Sequence, residues 1–188
     1  MSENILLDTL PETATVNGKE YFIDSDFRTC IIFEKVLADG TLSNRDKVEE
    51  MIDLFFTEER PADFYRCGEP VKKKQQVRKN GFVEIKPKMI YNYEIDAPYI
   101  FGAFLTQYRI DLNEIEYLHW WKFQALFKSL ESHNKIVEMM SYRATDLSSI
   151  ENKKERERIA KLKRIYDLPE NLTFEEKVAR AGAAFGGG

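Results

Sequence analysis

The chain has 188 residues, of which 43% are hydrophobic and 32% charged, and a net charge of −4. That length and balance make one domain, or one domain with a tail, and exclude wholesale disorder. No segment approaches the ~18 consecutive apolar residues of a membrane span. The opening MSENILLDTLPE lacks the basic start and apolar run of a signal peptide, so a cytosolic chain with Cys30 and Cys67 both reduced is expected.

In chain order, residues 1–13 read as a leader strand or tail. Thr15-Val16-Asn17-Gly18-Lys19-Glu20-Tyr21 predicts a β-hairpin, because Asn-Gly tolerates positive φ at both turn positions. Asp24 or Ser25 can cap a helix from about Asp26, whose Phe27, Cys30, Ile31, Glu34 and Leu37 recur at helical spacing until Asp39-Gly40. Ser43 caps a second helix with Val48, Met51, Ile52 and Phe55 on one stripe. Residues 68–90 then change character. Gly68, Pro70, Gly81 and Pro87 break the periodicity, and Lys72–Lys79 holds five basic residues in eight, which predicts a basic variable loop or linker.

Beyond it the pattern is helical. Asp96 caps a helix with Pro98 in its first turn and Ile100, Phe101, Phe104, Leu105 and Tyr108 on its stripe. A second, from about Glu114 to Leu130, is more than half apolar and reads as a central or interface helix. A short helix carries Ile136 to Tyr142. A charged one, preceded by Ser148 or Ser149, runs to Tyr166. Thr173 and Glu176 match a capping box for a last short helix. The reading is therefore mainly α: 1–67 a hairpin plus two helices, 68–90 the basic loop, 91–180 a helical part of the same domain, and 181–188 a flexible Gly-rich tail.

The chemistry-bearing patterns are sparse. Two histidines, His119 and His133, with no Cys-x-x-Cys or His-Glu-x-x-His, predict no metal site, and His119 reads as packed or hydrogen-bonded. Neither glycine-rich phosphate motif occurs, so no cofactor is expected. No Gly-x-Ser-x-Gly elbow and no cysteine–histidine neighbourhood occurs, so no catalytic residue is assigned and the chain is read as a non-enzyme. Charge is uneven: residues 1–60 hold 14 acidic and 6 basic side chains, and residues 61–188 hold 18 and 22. Lys72–Lys79 and the run Lys153, Lys154, Arg156, Arg158, Lys161, Lys163, Arg164 could each meet phosphates, but no stacking-aromatic motif accompanies them, and nucleic acid is disfavoured as a partner. The aromatic stretch stands out. On a helix, consecutive Trp120 and Trp121 point about 100° apart, so one can face the core and the other a partner. Tyr117, Trp120, Trp121, Phe123 and Phe127 are the candidate partner-binding residues.

The stretch Tyr91-Asn92-Tyr93-Glu94-Ile95-Asp96-Ala97, then Ala103-Phe104-Leu105-Thr106-Gln107-Tyr108, then Ile110-Asp111-Leu112, and above all Tyr117-Leu118-His119-Trp120-Trp121-Lys122-Phe123 resembles the phage "gene product fifteen" family of tailed phages and prophages of Gram-positive bacteria. Met140-Ser141-Tyr142-Arg143 and Ile165-Tyr166-Asp167-Leu168-Pro169 resemble it too, and the match spans most of residues 13–170. Arg109 stands where glycine is common in that family, and Asn92 where an acidic residue is expected. The resemblance implies a non-catalytic tail assembly chaperone, acting in the host cytoplasm during phage assembly. It would coat the tape-measure protein and assist tail-tube subunits, and a homo-oligomer along its client is expected. Two alternatives are a minor tail or connector component of the virion, and a nucleic-acid-binding phage factor.

Overall fold

The structure, a computed structural model, describes residues 4–58 and 89–169. The Lys72–Lys79 run, Cys67, the helix expected from Thr173 and the tail 181–188 lie outside the described residues. What is described is mainly helical, with one small N-terminal antiparallel hairpin. The chain forms two compact units. One combines the N-terminal residues with Ile115–Lys128, and the other combines residues 89–114 with those from Ser129 on. Ile115–Lys128, grouped in sequence with the helices after residue 91, thus packs with the N-terminal elements.

The first unit begins with β1 (Thr13–Val16) and β2 (Lys19–Phe22), paired so that Val16 faces Lys19. The two-residue turn has Asn17 at φ 52° and Gly18 at φ 80°. Both angles are positive, the twist that suits a tight hairpin. After β2 the chain goes on pairing, with Ile23 bridged to Phe56 and the Asp24 N–H donating to the Phe55 carbonyl at 2.8 Å. Helix α1 (Phe27–Ala38) starts at Asp26, whose carboxylate accepts the Arg28 N–H. Helix α2 (Asn44–Phe55) starts at Ser43, which forms a reciprocal capping box with Asp46. Phe27, Val36 and Ile52 are buried between them and the later helix that carries Phe123.

The second unit holds α3 (Ala97–Ala103), which widens into a π-helical turn over Phe104–Tyr108. The Arg109 N–H closes that turn on the Phe104 carbonyl, and Arg109 is left-handed at φ 58°. A left-handed arginine is strained and a glycine would not be. Gln107 extends from the turn. Its amide oxygen accepts the Glu131 N–H at 3.0 Å and the Asn134 side-chain amide at 2.6 Å, and its own amide donates to the Ser129 carbonyl. Helix α4 (Trp120–Lys128) belongs to the first unit, and the second unit goes on with α5 (Lys135–Ala144) and α6 (Lys153–Tyr166). Asn152, not Ser148 or Ser149, caps α6, while Leu147–Ser149 forms a single 3-10 turn. Ile100, Phe104, Ile136, Met139, Ile159 and Leu168 form the core.

Asp96 precedes α3 as the sequence predicts, but its carboxylate does not cap the helix. A cap would bond the second or third helical N–H, but the second residue is Pro98, which has none, and the Tyr99 N–H donates to the Asp96 backbone carbonyl at 3.0 Å. The fully buried carboxylate instead takes both terminal nitrogens of Arg143, at 2.6 and 2.9 Å, and the Asn92 N–H. Arg143 also donates to the carbonyls of Tyr166 and Ile90, at 2.6 and 2.9 Å. One guanidinium thereby ties four separate stretches of chain together.

Two outcomes are expected. Arg143→Ala leaves a buried carboxylate unpaired and lowers unfolding stability by roughly 3–5 kcal/mol, read from denaturant titration. Arg109→Gly relieves the left-handed arginine and raises stability by about 1 kcal/mol in the same assay.

Candidate functional site

The aromatic stretch is organised by α1. The carboxylate of Asp26 accepts the Leu118 N–H at 3.0 Å as well as the Arg28 N–H. The Phe27 N–H donates to the Leu118 carbonyl at 2.9 Å, and the Trp120 N–H to the Ser25 carbonyl at 2.8 Å. Arg28 reaches the Ile115 carbonyl at 2.6 Å and lies 4.7 Å from the Phe27 ring centroid. The backbone groups of 118–120 are thus spent on residues 25–27. Helix α4 accordingly runs only over Trp120–Lys128, not from Glu114 to Leu130. Its apolar periodicity is real, but backbone pairing with the start of α1 outcompetes the extra helical turn.

The extended backbone before α4 changes which rings meet. Side chains two apart share a side there, so Tyr117, His119 and Trp121 form a row with centroid distances of 6.5 and 5.5 Å. On the helix, Trp120, Phe123 and Phe127 follow helical spacing instead. Phe123 stacks on Trp120 at 5.7 Å and on Phe127 at 6.2 Å, and on its far side meets Phe27 of α1 at 4.8 Å. Near-parallel stacks of this kind contribute about 0.5–1.5 kcal/mol each beyond burial.

The five candidate residues therefore separate. Phe123 and Phe127 are buried, at 1% and 7% exposure. Trp120 and Trp121 are half-buried, and Tyr117 is 46% exposed with its hydroxyl 2.7 Å from Ser25 Oγ. What presents them was not visible in the sequence. The sequence offers Asp24 or Ser25 as the cap of α1, but Asp26 is the cap, and its second bond, 92 residues away, needs the fold. His119 is the other such residue. Buried at 3% exposure, it accepts the Trp121 N–H on Nδ1 at 3.1 Å, which makes it the side-chain cap of α4. An accepting Nδ1 leaves the proton on Nε2, which lies 3.3 Å from the Pro11 carbonyl and donates to it.

Beside Tyr117 the first unit has an open hollow of about 340 Å³, lined by Glu12, Phe22, Asp24, Ser25, Glu58 and Tyr117 among others. The Asp24 carboxylate is occupied by the Asp26 N–H and the Thr29 hydroxyl, at 2.9 and 2.7 Å. Cys30, half-exposed on α1, has its thiol pushed up to about 11, first by burial and then by the carboxylates of Asp24, Asp26 and Glu34. Among the described residues no group of three or more histidine, cysteine or carboxylate side chains is placed to hold a metal ion, and no helix is long and apolar enough to cross a membrane.

Residues 6–168 match the family model described as "Bacteriophage Gp15 protein". The match covers most of the chain, including every element described above, and the chain belongs to that family of bacteriophage proteins. No curated protein and no solved structure matches it.

One outcome concerns Cys30. Because the thiolate is the nucleophile, its alkylation in a Cys67→Ser variant should climb about tenfold per pH unit from pH ~7.5 to ~9.5 without levelling. A plateau at an ordinary thiol's position, about 8.5, in iodoacetamide kinetics would contradict the buried, anionic setting.

Proposed function

We propose that this phage protein is a non-catalytic tail assembly chaperone, and that its client is the tape-measure protein. Membership of the phage family across residues 6–168 is the observation that carries the reading. The aromatic row supports it. A chaperone for a long helical client needs exposed apolar and aromatic groups on a firm base, since amphipathic helices bind through repeated ring and aliphatic contacts. Tyr117 and Trp121 offer such groups, and the pairing of 118–120 with 25–27 supplies the base. In this reading Phe123 and Phe127 are the support beneath the surface, and Tyr117, Trp120 and Trp121 meet the client. The protein would act in the host cytoplasm, keep the tape measure soluble, and hand it to tail-tube subunits.

Co-expression with the tape-measure protein encoded beside it, followed by size exclusion with light scattering, tests the reading. Soluble co-elution that depends on this chain is expected. If the tape measure aggregates and this chain elutes alone, the chaperone reading fails, and purified particles become the place to look for a virion component. The geometry also divides the two tryptophans. Trp121→Ala should keep its thermal midpoint and weaken client binding at least about tenfold. Trp120→Ala should destabilise the fold by about 2 kcal/mol, because its ring stacks on buried Phe123.

A further inference from the structure

The N-terminal hairpin of the first unit is covered along one edge and open along the other. Beyond β2, the Asp24 N–H donates to the Phe55 carbonyl at 2.8 Å and the Thr57 N–H to the Phe22 carbonyl at 3.3 Å. The outer edge of β1 has no such cover. Val16 faces Lys19 across the two-residue turn, Ala14 faces Tyr21, and the Glu12 carbonyl accepts the Ile23 N–H, so residues 12, 14 and 16 direct their backbone groups at β2. The backbone N–H and C=O of Thr13 and Thr15 therefore point the other way, and they have no partner among the described residues. Thr15 is exposed. The strand Thr13–Val16 carries no charge, no proline and no bulge, the features with which an open edge usually refuses another strand. This edge ends at the aromatic row. Pro11, two residues before Thr13, has its carbonyl taken by His119 Nε2 at 3.3 Å, and the His119 ring meets that of Trp121 at 5.5 Å.

We propose that the open edge of β1 takes an extended segment of a partner protein as an added strand, with a side chain of that segment packing on Trp121. The edge itself fixes the chemistry of its occupant. The free donors and acceptors of Thr13 and Thr15 repeat about 7 Å apart, a spacing that extended polypeptide reproduces, whereas the backbone groups of a helix are already spent on one another. Proline cannot donate to such a ladder, and β1 offers no charge for a charged side chain to pair with. The fitting segment is therefore uncharged and proline-free, with a β-branched or aromatic side chain where it reaches the indole. A two-stranded hairpin is marginal alone, and a further strand strengthens it. Main-chain bonds give affinity with little demand on sequence, which suits a protein that holds one partner at many points. The inference rests on the reading above for the source of the strand: extended stretches of the client bind β1 while its amphipathic helices bind the row. The strand addition itself is read from the edge and stands without that assignment.

The test titrates the full-length chain against overlapping peptides of about twelve residues that tile the tape-measure and tail-tube proteins, read by fluorescence anisotropy. Thr15→Pro is the diagnostic variant. It removes an N–H that β2 does not use, places the ring where the added strand would lie, and keeps Ala14 in the extended region, so the thermal midpoint should not move. Thr15→Ala keeps the N–H. Peptides should bind the wild type and Thr15→Ala equally, and Thr15→Pro at least about tenfold more weakly. N-methylation along a bound peptide should block binding at every second amide. That scan needs no variant, so it decides the matter if Thr15→Pro disturbs the hairpin. Binding that ignores Thr15→Pro overturns the proposal, as do sensitive amides at the helical spacing of about three to four residues, or the absence of any bound peptide. A dimer of the chain that Thr15→Pro abolishes, with no peptide bound, makes a second copy the occupant and also overturns it. If only tail-tube peptides bind, with the period of two and the loss in Thr15→Pro, the strand addition holds and the client assignment falls.

Discussion

The first unit depends on one carboxylate. Asp26 sits at the N-terminus of α1, where a negative charge is favoured by the helix dipole, and it is only 9% exposed. Its Oδ1 serves the helix as a cap, and its Oδ2 takes the Leu118 N–H from the other end of the unit. Arg28 then stays within 3.2 Å of the same carboxylate and carries a second bond to Ile115. These bonds hold residues 117–119 as non-helical chain before α4, and that backbone state decides that Tyr117, His119 and Trp121 form a row. If 115–119 were helical, Tyr117 and Trp121 would still lie near one another, but His119 would point elsewhere and could not cap α4.

The second unit solves the same problem with a stronger pair. Burying Asp96 or Arg143 alone would be prohibitive, and the pair is tolerated because its bonding capacity is used. The carboxylate holds three N–H groups, and the guanidinium reaches two backbone carbonyls besides the carboxylate. Among the described residues no buried side-chain nitrogen or oxygen lacks a partner. The specificity of the arrangement lies in its directions: a planar fork must meet a carboxylate before α3 and two carbonyls that are far away in sequence.

Much of the local structure was legible in the sequence, for a physical reason. Asn17-Gly18 and Ser43 before α2 act through bonds to residues within a few positions, so the chain alone determines them, whereas the cap of α1 falls to Asp26 rather than to Asp24 or Ser25. The misjudged elements are those set by distant partners. Residues 114–119 carry helical periodicity, yet Ser25, Asp26 and Phe27 take their backbone groups. Asp96 looks like a cap, yet Pro98 removes the donor a cap would use and Arg143 claims the carboxylate. A signal for Arg143 did exist. It lies on the same stripe as Ile136 and Met139 of α5, and a cation on an apolar stripe must find a buried partner. Of the aromatic residues, spacing identified the group, while the division between Phe123 and Phe127 inside and Tyr117 outside needed the extended segment before α4.

The composition of the first unit from two stretches also bears on the order of events during synthesis. The bond from Asp26 to Leu118 spans 92 residues, and α4 supplies Phe123 to the ring stack on Phe27. A ribosome-bound chain that has emerged only as far as α3 holds the hairpin, α1 and α2, but not the strip that covers Phe27. Residues 89–114, which lie between, cannot finish their own unit until Arg143 and Tyr166 arrive. The two units are therefore interleaved in time, and both close late in translation. Nascent chains of this protein expose Phe27 until α4 follows it, and Ile100 and Phe104 until Arg143 and Tyr166 follow them, intervals in which a chain is open to aggregation or to capture by host folding factors.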